Sequence, residues 1–200
     1  MKFESDFRIV LASSSPRRKE LLEMVNIPFE VLPSEVEENI ELIEHDFEGF
    51  VKTLAHTKAQ AVAKRVEDAI VIGADTIVVL DGRIYHKPAS SEEAKQFLQC
   101  FSGKAHSVFT GVAILRNGEV SAFTEKTNVY FKKLDDALID WYVESGDPMD
   151  KAGAYGIQTA GALLVEKIEG DYYNVVGLPI AKLASRLREL DILHLPGGDA

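Results

Sequence analysis

Ser13-Ser14-Ser15-Pro16-Arg17-Arg18-Lys19 is the stretch of this chain whose residue types conflict most with their local setting. The apolar run Ile9-Val10-Leu11-Ala12 before it reads as a short buried strand, and Leu21, Leu22 and Val25 after it as one face of a helix. Pro16 suits the first helical position and the serine ahead of it suits the N-cap. Three cations then fill the first helical turn, where the helix dipole is already positive. Each should cost about 0.3–1 kcal/mol. An anion would resolve the conflict. Free backbone N–H groups, serine hydroxyls and two guanidinium forks make residues 13–19 a candidate phosphate site. The plain alternative is a solvated basic helix start.

Asp75 is the second anomaly. It stands in an aliphatic run directly after Gly73-Ala74, although aspartate is depleted in strands and seldom buried without a partner. The glycine permits a bulge or the close approach of a ligand. A general base, a metal ligand and a turn residue between two short strands are all open readings. Lys58 falls on an apolar helical stripe, seven residues after Val51 and four before Val62. Its ammonium either snorkels to water or meets an anion. Lys87 precedes Pro88 and is biased to extended backbone. Glu35, Glu37 and Glu38 could supply a metal carboxylate or form a solvated acidic loop. Residues 147–161 hold Asp147, Pro148, Asp150, Lys151, Gly153, Tyr155, Gly156, Gln158 and Gly161, a density of glycines and polar groups that suggests a functional loop. The Gln158 amide can donate to and accept from a nucleobase edge, or simply face solvent.

The elements that must position these groups alternate. The pattern predicts helices over 16–25, 47–66, 91–102 and 135–145, and a last one from Pro179. Short strands are predicted at 29–32 and at Leu163–Val165, and one interrupted strand over 69–73 and 76–80. Asp81-Gly82 and Asn117-Gly118 are tight-turn signals, the latter joining long strands over 105–116 and 119–132. Residues 35–46 read as an acidic surface loop with some helical character. Ser90 with Glu93 makes a capping box and Gly103 a helix stop. The expected fold is α/β: a mixed β-sheet flanked by helices. Residues 1–194 are expected to form a single domain and residues 195–200 a disordered tail.

Composition narrows the partners. The chain has 200 residues, 46% of them hydrophobic, and a formal net charge of -10. That field repels polyanions, so neither nucleic acid nor a membrane surface is the expected partner. A phosphate ligand needs local cations or a metal ion. The one cysteine, Cys100, excludes an internal disulfide or thiolate cluster and reads as a buried, inert thiol beside Phe97, Leu98 and Phe101. No apolar signal core or membrane-length run is evident, and a cytoplasmic protein is expected. The five histidines lack metal-ligand spacing, and no Walker, Rossmann or nucleophile-elbow motif is present.

Leu11-Ala12-Ser13-Ser14-Ser15-Pro16-Arg17-Arg18, Glu37-Glu38, Lys58-Ala59, Gly73-Ala74-Asp75-Thr76, Lys87-Pro88 and Lys151-Ala152-Gly153-Ala154-Tyr155-Gly156-Ile157-Gln158, taken in order, resemble the Maf family of nucleoside triphosphate pyrophosphatases, also called septum-formation inhibitor proteins. The resemblance covers roughly residues 8–190. It implies a fold similar to inosine triphosphate pyrophosphatase, with two lobes around a deep cleft. It also implies hydrolysis of a nucleoside triphosphate to the monophosphate and pyrophosphate with a divalent cation, Mg²⁺ or Mn²⁺. By the same resemblance Asp75 is the proton acceptor, and Arg17, Thr76 and Gln158 are linked to base choice. Ser13, Arg18, Glu38, Lys58 and Lys87 match the family's remaining cleft residues. A hypothesis that joins this match to the residue reading makes Glu38 and Asp75 the metal ligands; for Asp75 that role competes with the role of base, because a bound metal lowers a carboxylate's basicity. Gln158 looks like the branch acting on dTTP and UTP rather than on 7-methyl-GTP, and modified pyrimidine triphosphates are further candidates. A homodimer is the family expectation. Two other functions stay open: a nucleotide-binding regulator of septum formation with incidental hydrolysis, and a general phosphatase.

Overall fold

The computed structural model describes residues 2–36 and 45–197. Glu37, Glu38 and most of the predicted acidic loop lie outside the described residues, as do the last three of the tail. The described strands form one seven-stranded mixed sheet in the order β2 (Glu30–Val31), β1 (Arg8–Leu11), β3 (Ala69–Leu80), β5 (Ala105–Arg116), β6 (Glu119–Phe131) and β7 (Val165–Glu169), with β4 (Arg83–Tyr85) paired to β3. The chain divides into two compact units, Met1–Asp75 with Thr110–Thr124 and Gly177–Ala200, and Thr76–Phe109 with Glu125–Val176.

In the first unit, β1 (Arg8–Leu11) pairs in parallel with β2 (Glu30–Val31) and with β3 (Ala69–Leu80). Ile9, Val10 and Leu11 are all buried, as the uninterrupted aliphatic run of a parallel strand demands. Helix α1 (Pro16–Met24) begins at Pro16 with Ser15 at the N-cap, but no side chain caps it and no acidic residue occupies its first turn. Helix α2 (Phe47–Ala63) is capped by Asp46, whose Oδ1 accepts the Gly49 N–H at 2.8 Å. Its stripe of Val51, Leu54, Ala55, Ala59 and Val62 is buried. The small residues Ala55, Ala59 and Gly73 let α2 lie almost on the strand. A Cβ at Gly73 would stand 2.2 Å from the Ala55 carbonyl oxygen and 2.8 Å from the Ala59 nitrogen. β3 is one continuous strand through Asp75; the predicted interruption is absent, because the carboxylate finds a partner within the unit.

In the second unit, β4 (Arg83–Tyr85) returns from the Asp81-Gly82 turn, whose two residues have φ of 50° and 77°. Helix α3 (Ser91–Phe101) starts at Ser90, whose hydroxyl accepts the Glu93 N–H at 3.2 Å, while Glu93 reaches back to the Ala89 N–H at 2.7 Å. Cys100 is exposed. Ala94, Phe97, Leu98 and Phe101 take the buried face and leave Cys100 off it, so the inert buried thiol is corrected. β5 (Ala105–Arg116) begins and β6 (Glu119–Phe131) ends in the second unit, but the turn that joins them, Asn117-Gly118, lies in the Thr110–Thr124 segment of the first; its φ values of 48° and 87° suit a hairpin turn of these residue types. Helix α4 (Asp136–Glu144) is capped by Asp135. Three short 3-10 turns follow, over Asp147–Asp150, Ala152–Ala154 and Ala160–Leu164. Leu163 and Leu164 belong to the last of these, so the predicted strand starts two residues late, as β7 (Val165–Glu169). Helix α5 (Tyr172–Val176) has no sequence signal. Its buried Asn174 holds it by donating to the Val108 carbonyl and the Thr127 hydroxyl, each at 3.0 Å. The last helix, α6 (Ile180–Glu189), returns to the first unit and buries Ile180, Leu183 and Leu187.

Candidate active site

Ser13, Arg17, Arg18, Lys58 and Asp75 belong to the first unit, and Thr76, Lys87 and Gln158 to the second. The first unit's residues emerge where parallel strands end, the usual place for a ligand in an open α/β sheet. β1 stops at Leu11, opposite Ile72, and the Ala12 N–H bonds the Ile72 carbonyl at 2.7 Å. Ser13 leaves the strand there, while β3 continues through Gly73 to Asp75.

Two pairings result. Ser13 is buried, and its hydroxyl oxygen accepts the Ser15 N–H and an Arg18 guanidinium N–H, both at 3.2 Å. The Arg18 side chain is itself buried and donates through Nε to the Gly177 carbonyl at 2.8 Å. The guanidinium is therefore fixed in plane by two partners from distant parts of the chain. Arg17, next in sequence, is half-buried. The second pairing joins α2 to β3: Lys58 Nζ donates to Asp75 Oδ1. Gly73 and Asp75 lie two residues apart and so face the same side of the strand, toward Ala55, Lys58 and Ala59. The close approach allowed by Gly73 thus brings the lysine to the carboxylate. The Lys58 ammonium is held by a carboxylate of its own chain, Asp75. Both side chains keep a little solvent contact, 15% and 10% exposed. Among the described residues no group of three or more histidine, cysteine or carboxylate side chains is placed to hold a metal ion.

In the second unit, Thr76 is half-buried, and Lys87 and Gln158 are exposed. The residues on either side of Gln158 in sequence, Gly156 and Thr159, belong to a polar cluster that the composition of the 147–161 loop does not reveal. Tyr142 Oη donates to Asp147 Oδ2 at 2.6 Å and accepts the Gly156 N–H at 3.0 Å. Lys151 Nζ, buried, donates to Asp147 Oδ1 at 3.0 Å, to the Asp147 carbonyl at 2.6 Å and to Asp150 Oδ1 at 2.6 Å. Burial alone would raise the Asp147 carboxyl, but the Thr159 and Tyr142 hydroxyls and the Lys151 ammonium outweigh it and hold the group below its usual range. Burial, with the bond to Asp147, pushes the Tyr142 phenol up. The signal for this cluster was the tyrosine near the end of an amphipathic helix followed by Ser-Gly-Asp-Pro. It shows a helix stop, but not where the hydroxyl goes.

The fold and these residues define a Maf-like protein: the chain belongs to that family, whose model matches residues 8–190. A dTTP/UTP pyrophosphatase from Bacillus cereus (strain G9842) is 52% identical over 185 residues, 92% of this chain and 96% of that protein. The dTTP/UTP pyrophosphatase of Bacillus cytotoxicus is 52% identical over 184 residues, with the same coverage of 92% and 96%. That of Bacillus anthracis (strain CDC 684) is 51% identical over 189 residues, 94% of this chain and 98% of its own.

Proposed function

We propose that this chain hydrolyses dTTP and UTP to the nucleoside monophosphate and pyrophosphate, with Asp75 as the proton acceptor. The observation that carries the reading is the Lys58–Asp75 pair, a buried carboxylate held by an ammonium at the end of parallel strands. The names of the half-identical relatives support the same substrates and products.

Asp75 takes a proton from the water that attacks the α-phosphorus. Lys58, Arg18 and Arg17, with the Ser13 hydroxyl, are the first unit's groups for triphosphate charge, and they supply what a chain of net charge -10 lacks overall. In the second unit Lys87 is assigned to phosphate, and Thr76 and Gln158, with Arg17, to base choice. A triphosphate that draws the Lys58 ammonium toward its own oxygens would leave the Asp75 carboxylate able to accept a proton. Binding and base activation are then one event.

A divalent cation fits the donors present. Magnesium keeps several waters and needs only one or two carboxylates beside the substrate's own phosphates. Asp75 would be one such carboxylate in place of, not beside, its role as base, because a bound metal lowers a carboxylate's basicity; Glu38, the second assigned ligand, lies outside the described residues. When bound, Mg²⁺ or Mn²⁺ neutralises phosphate charge and polarises the α-phosphoryl group. On this reading residues 1–194 act as a single Maf-like domain in the cytoplasm, and a homodimer is what the family resemblance implies. Among the described residues no helix is long and apolar enough to cross a membrane.

The test is product analysis across the common nucleoside triphosphates with Mg²⁺ or Mn²⁺. Monophosphate and pyrophosphate from dTTP and UTP are expected. Orthophosphate would make the protein a phosphatase. Nucleotide that is bound but left intact would make it a regulator.

A further inference from the structure

The Asp147 cluster is more elaborate than a surface loop requires, and it grips one short segment. Gly156 and Thr159 bracket Gln158. The Gly156 N–H is held by Tyr142 Oη at 3.0 Å. Thr159 Oγ1 lies 2.5 Å from Asp147 Oδ2 and 3.0 Å from the Gly156 carbonyl, so it can donate to either. Tyr142 and Thr159 therefore converge on the same carboxylate oxygen from opposite ends of the segment. The packing leaves no slack. A Cβ at Gly156 would stand 2.4 Å from the Lys151 side chain, and one at Gly161 would stand 2.6 Å from the Gly156 carbonyl oxygen and 2.8 Å from Tyr142 Oη. Gln158 itself is exposed, carried on a backbone whose two flanks are fixed from below.

We infer that Asp147, Tyr142 and Thr159 are positioning residues for base recognition: they fix the 156–159 segment so that the Gln158 amide meets a pyrimidine edge in a single orientation. The inference rests on the assignment of Gln158 to base choice. A hydrogen-bonding amide discriminates between bases only while its donor and acceptor are held in register. A mobile amide turns to suit whichever edge arrives. In this role the cluster acts on base choice through the backbone of residues 156–159. Lys151 balances the carboxylate's charge and ties Asp147 to Asp150.

Tyr142→Phe removes one hydroxyl from the cluster and keeps the ring. Thr159→Val, at an exposed position, removes the other without emptying the interior. Each is assayed beside Gln158→Ala for kcat and KM on dTTP, UTP, dCTP and dGTP, with thermal unfolding followed in parallel. The expected result is a fall of about tenfold or more in the dTTP-to-dCTP ratio of kcat/KM in both cluster variants, expressed mainly in KM. Combining either with Gln158→Ala should add no further loss of selectivity. Folded cluster variants that keep the parent ratio, beside a Gln158→Ala that loses it, would overturn the positioning role and leave the base assignment standing. A Gln158→Ala with the parent ratio would overturn the base assignment itself. If Tyr142→Phe does not fold, Thr159→Val decides alone.

Discussion

Lys58 on α2 and Asp75 on β3 are bonded partners, seventeen residues apart in sequence and joined because Gly73 lets the helix lie against the strand. The pair makes the resting carboxylate a counter-ion and the lysine its cap. Removing the cap should be felt twice. Lys58→Met should lower stability by about 1–3 kcal/mol, since it leaves a mostly buried carboxylate without its ammonium while some solvent still reaches the site. It should also raise KM for the triphosphate. Urea unfolding and steady-state kinetics measure the two effects. A variant with parent stability and parent KM would mean that the pair is incidental.

Gly73→Ala tests the approach itself. The added methyl would collide with the backbone of α2, which cannot rotate out of the way as a side chain could. Overpacking of this kind costs about 1–3 kcal/mol. A displacement of about 1 Å between a catalytic group and its partner can cost on the order of a hundredfold in rate. We expect kcat to fall at least about tenfold in a protein that still folds, read by dTTP turnover and a thermal melt. Full activity would show that α2 has room to move.

Arg17 and Arg18 are neighbours with different duties. Arg18 is locked between Ser13 and Gly177. A lysine, with one ammonium in place of a planar fork, cannot reproduce both bonds. Arg18→Lys should cost about 1–2 kcal/mol of stability as well as affinity. Arg17→Ala should raise KM for the preferred nucleotide, shift base preference, or both. Unchanged kinetics of Arg17→Ala across the nucleotide panel would remove it from the site.

His106 gives the second unit a dependence on pH. Burial against Phe101, Phe131 and Tyr155 pushes its pKa down from 6.5 to about 3, so the folded protein keeps it neutral. Between those values the unfolded chain binds a proton that the folded chain does not. Stability is therefore lost as the pH falls from 6.5, with a slope approaching about 1.4 kcal/mol per pH unit. The depressed Asp147 carboxyl acts in the same direction at lower pH. From pH 6.5 to 5 most carboxyls are still ionised, and the slope there belongs to the histidine. Urea unfolding at stepped pH should show the decline, and His106→Phe should flatten it. A parent slope in that variant would place the titrating group elsewhere.

Much of the frame was readable in the sequence because local rules settled it. Pro16 and Ser90 mark helix starts, Asp81-Gly82 and Asn117-Gly118 mark turns, and the Val51-to-Val62 stripe marks the face of α2. What escaped depended on tertiary partners. Asp75 read as a strand interruption because its partner, Lys58, comes from a preceding helix. Cys100 read as buried because its apolar neighbours in sequence are core residues, while its own position on the turn is not. Helix α5 is five residues long and rests on the bonds of Asn174, which no periodicity can show. Residue type and spacing mark Lys58 and Asp75 separately, and no sequence signal shows that they pair. The loop over 147–161 was marked by composition alone, without the Tyr142–Asp147–Thr159 bonding that gives it a definite shape.

The central claim is that Asp75 delivers water to the α-phosphorus of a pyrimidine nucleoside triphosphate. Turnover of dTTP in water enriched in oxygen-18, with Asp75→Asn alongside, tests it most directly. The account predicts label in the monophosphate, none in the pyrophosphate, and a folded variant slower by a factor on the order of a hundred to ten thousand. Label in pyrophosphate or orthophosphate, or near-parent turnover by a folded Asp75→Asn, would contradict it.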